Sequence, residues 1–447
     1  MSLSSGMNAG VAGLSVNSTR LAVISDNIAN SNTNGYRKAD VDFSALVTAS
    51  SGGGTFTAGG VSVSTYRNVS QAGALITSGN STDIAVAGTG MLPVTPEGSV
   101  DLPAGQRPFQ MVATGSFRQD ENGYLKTPGG LVLTGWETSA DGTLTSSVSR
   151  DTPSSLVPVK LSAYLTASDP TTAIELGVNL PANETEAGAT GLPITSPIEY
   201  FDALGLSHTL SISYTPVVPA TGVSSAWTLS ISDSTTPGAG LVAEFDLTFD
   251  GTRAGAGELL TATPSAGNPV DPNGAGTTAT FDAATGLLTI NVPDGPIELR
   301  IQSSSEGAGL SQLAAPFTPN GLSKNGSPAG NLANLEISAD GLLSGVYDNG
   351  SRRALYQIPL VSVPNPDGLT AIDNQAFEIS RESGNMYLFD AGSGPAGEIS
   401  GFALQQSTVD IAEELTDMII TQRAFSSNAT VIRTVDEMLQ ETTALKR

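Results

Sequence analysis

The chain has 447 residues, enough to bury a substantial core in two or three domains. Its 43 Asp and Glu against 19 Lys and Arg leave a formal charge of -24, which excludes nucleic acid and an anionic membrane surface as partners, since both demand a basic face. It has no cysteine, which excludes disulfides and thiolate metal sites, and its one histidine, His208, is the only imidazole available for acid–base or metal chemistry.

The opening MSLSSGMNAGVAGL lacks the basic start and continuous apolar stretch of a secretory signal peptide. Apolar residues then return at helical spacing: Met7, Leu14, Leu21 and Ile28 are each seven apart, with Val11 and Ile24 beside them. A strict heptad is the pattern of a helix that packs along another helix. Gly6, Gly10 and Gly13 each cost about 1 kcal/mol relative to Ala in a helix interior. They also let a second helix approach closely, so this helix is expected to become ordered only when packed. Asn30, Asn32, Asn34 and Gly35 follow, residues that tolerate the left-handed conformation ending helices. The residues predict a helix stop and a sharp exit.

Residues 31–75 read as a connector, with the glycine-rich stretch Thr48 to Gly60 its flexible part. From there the period changes to two. Ile84 and Val86; Leu210, Ile212 and Tyr214; Trp227, Leu229 and Ile231; Phe245, Leu247 and Phe249; and Ile297, Leu299 and Ile301 all alternate as in half-buried antiparallel strands. Turns such as DENG, SADG and DAATG separate them. None supplies the alternating acidic ligands and terminal Glu of a calcium loop.

Residues 161–320 contain no lysine, two arginines and sixteen carboxylates. This shift marks an acidic β domain, 155–316, inserted into a discontinuous β domain made of 76–154 and 317–404. A final helix is expected from about Val409 to Leu445, within a tail free of Gly and Pro. Leu404, Ile411, Met418, Phe425, Ile432 and Leu439 hold one heptad position, widened by Leu415, Ala429 and Val435. Glu413, Glu414 and Asp417 in its first turns, and Lys446 and Arg447 in its last, suit the helix dipole. The expected fold is therefore mainly β with helical termini. Residues 1–30 pair with 405–447 in a coiled-coil-like core, either within one domain or between subunits.

A search for chemistry returns little. His208 near Asp202 could be read as a base, but a hydrogen-bonded histidine at a turn explains it as well. The glycine runs AGTGML and GAGLVAEF precede no convincing βαβ helix. No catalytic, cofactor or metal site is expected, and no enzyme.

The stretch DNIANSNTNGYRK resembles the N-terminal signature of the flagellar axial proteins, the family of rod, hook and hook-associated subunits. In that pattern a helix ends in Asn-Ile-Ala-Asn and a Gly-Tyr-Lys/Arg follows, here Asn27 to Asn30 and Gly35, Tyr36 and Arg37. GNSTDIAVAGTGMLPV is similar to the family's next block, with Met91 and Leu92 in place of two phenylalanines. GSFRQDENGYLKTPGGLVLTGW and EYFDALGLSHTLSISY resemble further blocks, the latter placing His208 in a family motif without a catalytic role. The end resembles the family's C-terminal helix, whose Met-Ile-x-x-Gln-Arg-x-Phe/Tyr-x-x-Asn-Ala corresponds to Met418 to Ala429, with Gln422, Arg423 and Asn428 at the polar motif positions. The inserted domain and the EYFDALGLSHTL block favour a hook subunit, with hook-associated or distal-rod members as the alternative.

The resemblance implies a helical tube whose inner layer is built from the terminal helices, a flexible joint transmitting torque from rod to filament. It also implies a flagellar, extracellular location reached by type III export without a cleaved signal. The implied partners are further copies of the chain, the distal rod protein, the hook cap, the hook-length control protein, the hook–filament junction protein and the export apparatus. A secreted adhesin with a helical stalk, or a glycan-acting enzyme, would account for an acidic β-rich chain but not for heptads at both ends.

Overall fold

The computed structural model describes residues 3–46, 59–235, 240–252, 255, 257–266, 269, 279–302 and 309–444. Two helices stand at its ends, α1 (Leu3–Ala29) and α2 (Ile411–Ala444), and the rest is strand, turn and short 3-10 helix. The expected architecture, mainly β with helical termini, is the observed one. Most of the glycine-rich connector, and Lys446 with Arg447, lie outside the described residues.

The chain divides into two compact units. One comprises Met1–Leu165, Ala333–Val346 and Arg352–Arg447; the other comprises Thr166–Leu332 and Tyr347–Ser351. In the first, α1 packs on α2, and the exit from α1 leads into an antiparallel pair, β1 (Ala39–Ala45) with β2 (Val61–Arg67). Short β3 (Leu75–Thr77) pairs with Ala403–Gln405, the last strand before α2. The body of this unit is antiparallel. Asp83–Ala87 lies between Glu398–Gly401 and Thr114–Ser116, and Leu92–Pro96 lies between Gln110–Val112 and Leu131–Glu137. Trp136, Met91, Met111, Phe377 and Leu388 form part of one apolar cluster there. The strand at Ile84 and Val86 departs from alternation: Asp83 to Val86 are all buried, because both of its faces are covered.

The second unit is a sandwich. One sheet is a five-stranded antiparallel meander: Ile194–Phe201, Ser207–Pro216, Ala226–Asp233, Leu241–Phe249 and Leu259–Pro264. The other carries Ala173–Pro181 beside Gly295–Arg300 and Ser311–Leu313, both parallel to it, with Thr318–Lys324 antiparallel. Here the period of two holds. Leu210, Ile212, Tyr214, Trp227, Leu229, Ile231, Phe245 and Leu247 point inward and are fully buried, packed with Leu288, Ile290 and Leu299 of the opposite sheet. Two glycines explain sharp turns in this unit: Gly205 at φ +79 closes the Asp202 turn, and Gly286 at φ +71 closes DAATG.

Candidate interaction site: the helix pair and its junction

The α1–α2 contact is made by small residues. A Cβ on Gly10 would come within 3.0 Å of Ile432 Cγ1, and one on Gly13 within 2.7 Å of the Asn428 amide nitrogen. Only glycine lets the helices approach so closely, and Asn17 Nδ2 donates to the Gly13 carbonyl at 2.7 Å. Gly6, by contrast, faces open space. Val16 and Ile24 continue the buried face of α1, and Thr421 and Glu414 are the buried residues of α2. Arg20 joins the helices by an ion pair to Asp417 at 3.0 Å.

The heptad residues fall mostly beside this face. Leu14, Leu21 and Ile28 are half-buried, and Met7 is exposed. On α2, Met418, Ile432 and Leu439 are half-buried, while Ile411, Leu415 and Phe425 are exposed. Leu404 is not helical; it lies in the strand Ala403–Gln405, opposite Ile76 of β3. The helix starts later because Asp410 caps it, its Oδ1 accepting from the N–H groups of Ala412 at 2.8 Å and Glu413 at 3.3 Å. Asn428 sits at the Gly13 crossing, whereas Gln422 and Arg423 are exposed.

With one face of each helix engaged, a broad apolar surface is left over. Ile411, Leu415, Ile419, Ile420, Phe425, Val431 and Met438 on α2, and Met7 and Val11 on α1, are between 37% and 53% exposed. For a soluble helix this is the wrong distribution, since apolar side chains normally turn to the core.

The Asn-rich stretch builds a junction. Asn27 Nδ2 donates to the Ala39 carbonyl at 2.8 Å, and its Oδ1 accepts from Ala39 N at 3.0 Å, so one side chain ties the helix end to the start of β1. The Tyr36 hydroxyl lies 2.8 Å from Asp26 Oδ2 and 3.1 Å from Asn27 Oδ1, and Arg67 stacks over its ring. Burial, followed by the hydrogen bond to Asp26, pushes the Tyr36 pKa up to about 12. Asn30 bonds back to Asp26 and receives Thr33. Of this run only Gly35 is left-handed, at φ +76; the asparagines act through their side chains. Gly35 N donates to the Gln405 carbonyl at 2.9 Å, and a Cβ there would meet Thr114 at 2.9 Å.

Sequence reasoning missed what the junction grips. Arg37 is buried, its guanidinium donating to Gln405 Oε1 at 2.9 Å and to the Gln71 carbonyl, and burial lowers its pKa to about 10. Gln405 Nε2 in turn donates to the Val86 carbonyl at 2.6 Å. Lys38 reaches Glu414 at 2.9 Å and Glu413 at 3.4 Å. Burial alone would lower the Lys38 pKa, but the hydrogen bond and charge of Glu414, then Glu413, outweigh it and raise it above 10.5. The exit from α1 is therefore latched onto both the strand that leads into α2 and the first turn of α2. A second exposed apolar group was also missed: Leu75 and Ile76 of β3, with Phe402 held at φ +54, where an aromatic residue is strained. Its signal was weak, a few isolated side chains without period.

Known proteins carry the same two ends. The family model described as "Flagella basal body rod protein" matches residues 7–37, and the one described as "Flagellar basal body rod FlgEFG protein C-terminal" matches 401–445. Flagellar hook protein FlgE of Rhizobium meliloti is 32% identical over 447 residues, covering 100% of both chains. That of Brucella abortus is 30% identical over 450 residues, again covering 100% of both. Among solved structures, the Helicobacter pylori flagellar hook protein FlgE2 matches 74% of this chain and 99% of its own, at 13% identity and a TM-score of 0.46. Aligned end to end with these relatives, and matched by rod-protein models over the two helices and the junction between them, the chain belongs to the flagellar hook protein FlgE family.

Proposed function

We propose that the chain polymerises through its helix pair into the hook tube. The observation that carries this is the apolar surface on α2 and α1 left over after the two helices have packed on each other. Burying each such side chain against a neighbouring copy contributes roughly 1.5–3 kcal/mol, so a few of them drive assembly. The small-residue crossing at Gly10 and Gly13 sets the pair as one element, and the exposed rows are what that element offers to other copies. Leu75, Ile76 and Phe402 add a second contact of the same kind.

The latch at Asn27, Tyr36, Arg37 and Gln405 fixes how the chain leaves the helical layer, so force applied to the β body is carried to the helices through hydrogen bonds rather than through a loose linker. In this reading the hook's torque path runs through the latch, while polar outer surfaces slide past their neighbours as the tube bends. Membership of this family supports, as part of the same reading, contacts with distal rod, hook cap, length-control and junction proteins and passage through a type III export apparatus. The glycines of α1 weaken that helix wherever it is not packed, which suits passage as an unfolded chain.

Leu415→Asp combined with Ile419→Asp tests the reading. Purified variant should remain monomeric by sedimentation and form no tubes by electron microscopy, with strand content by circular dichroism unchanged. Tubes assembled normally by this variant would refute it.

A further inference from the structure

The sandwich unit holds the chain's one histidine, outside the helix pair and its junction. His208 lies in the strand Ser207–Pro216 of the five-stranded sheet, and Asp202 lies in the turn just before it. Asp294 comes from the other sheet, in the turn between Leu287–Val292 and Gly295–Arg300. His208 Nε2 lies 3.2 Å from Asp202 Oδ2 and 4.0 Å from Asp294 Oδ2, and one donor atom from each of the three lies within 4.8 Å of the others.

The donors are already aimed. Asp202 Oδ1 accepts from the N–H groups of Leu206 at 2.7 Å and Leu204 at 2.9 Å, which turns Oδ2 toward the imidazole. The His208 ring leans on Tyr200 at 5.4 Å between centroids, and the Tyr200 hydroxyl donates to buried Asp233 at 2.8 Å. The imidazole thus leans on a ring that is itself held in place.

We propose that Asp202, His208 and Asp294 bind one divalent ion of the zinc class, which clips the two sheets of the sandwich together at this end. A dication neutralises two carboxylates, with the imidazole left neutral. One imidazole with two carboxylates suits zinc and its first-row neighbours. Donors at about 2.0–2.2 Å from a tetrahedral zinc stand about 3.3 Å apart. The Asp202–His208 spacing already meets that. Asp294, whose side chain is 38% exposed, closes the rest by moving in from its turn. Solvent completes the fourth position. Sequence alone gave no metal-ligand spacing because the third ligand belongs to a different sheet.

The test uses the full chain stripped with EDTA and titrated calorimetrically with zinc, with cobalt as an optical probe and thermal unfolding of the sandwich as a third readout. The expected result is one zinc per chain, visible cobalt bands of tetrahedral oxygen–nitrogen coordination, and a higher unfolding temperature with zinc. His208→Gln and Asp294→Asn should each weaken binding by at least the roughly 10–100-fold seen on losing a ligand's supporting partner. Asp294 lies in an exposed turn, so this variant keeps the fold if His208→Gln does not. Failure of the native chain to take up zinc, or uptake undiminished in both variants, overturns the proposal. His208 would then be only a hydrogen-bonding partner for Asp202.

Discussion

In the sandwich, Leu210, Ile212, Tyr214, Trp227 and Leu229 are fully buried; on α2, Ile411, Leu415, Ile419, Ile420 and Met438 remain about half exposed. Both regions read as regular amphipathic structure, one at period two and the other at period seven. The sandwich has a second sheet in the same unit to close against, whereas α2 packs along α1, whose contact face is lined by Gly10, Gly13 and Val16 and covers one side of it. A periodic apolar pattern thus states that a face will be buried but not by which chain. In the sandwich the answer is this chain, and on the helices we propose another copy.

Substitutions that separate the two kinds of burial sharpen the contrast. The largest expected effect is the complete loss of tubes in the Leu415→Asp, Ile419→Asp chain at little cost to the monomer. Its mirror image is Trp227→Ala, which should lower the stability of the sandwich by about 3–5 kcal/mol in denaturant titration. Helix content and the α1–α2 contact should stay intact in that variant. If Trp227→Ala unfolded the helices as well, burial in the two regions would be one cooperative event and the comparison would fail.

Gly13→Val probes the crossing itself. A Cβ at Gly13 lies 2.7 Å from the Asn428 side chain, and the valine adds more, so the helices must part. Overpacking of this kind costs about 1–3 kcal/mol. Far-ultraviolet circular dichroism of the monomer should show lost helix, and Gly6→Val, which meets nothing within 4 Å, serves as the matched control. Valine is a better helix former than glycine, so equal loss in both variants would mean that the crossing at Gly13 is not what holds the pair.

How much of this was legible follows from what each element packs against. The strands at Leu210, Trp227, Phe245 and Ile297 could be read because one face meets the core and the other meets water. The run at Ile84 alternates in sequence too, yet Asp83 to Val86 are all buried because sheet neighbours and packing cover both faces. The helices were legible as helices, and their glycines as points where a second helix comes close; Gly10 and Gly13 meet α2 while Gly6 faces open space, a difference that only the folded crossing decides. α1 ends at Ala29, just past Asn27, and Gly35 is the left-handed residue of the exit, yet their partners Ala39 and Gln405 depended on the folded path. Arg37 with Gln405, and His208 with Asp294, join residues far apart in sequence, and no local period encodes such pairs.

The smallest effect expected is also the most specific to the junction. Lys38→Met keeps the apolar stem of the side chain and removes the charge that meets Glu414 and Glu413. At neutral pH this half-buried pair should contribute about 1 kcal/mol, the upper end for exposed ion pairs. The sign of its pH dependence follows from the raised pKa: the contribution is fully present below the ordinary lysine value of 10.5 and is lost as pH rises through the higher folded value. Two neighbours titrate in the same alkaline range with opposite sign, Tyr36 raised from 10.0 to about 12 and Arg37 lowered from 12.5 to about 10. The native chain alone would blur all three. Subtracting the Lys38→Met stability from the native value at each pH removes Tyr36 and Arg37 from the balance and leaves the lysine. That difference, read from the helix signal in denaturant, should be flat up to about pH 10 and then fall toward zero. A difference that persists undiminished at higher pH would mean that the Lys38 stem, and not its charge on Glu414, holds α2 to the latch.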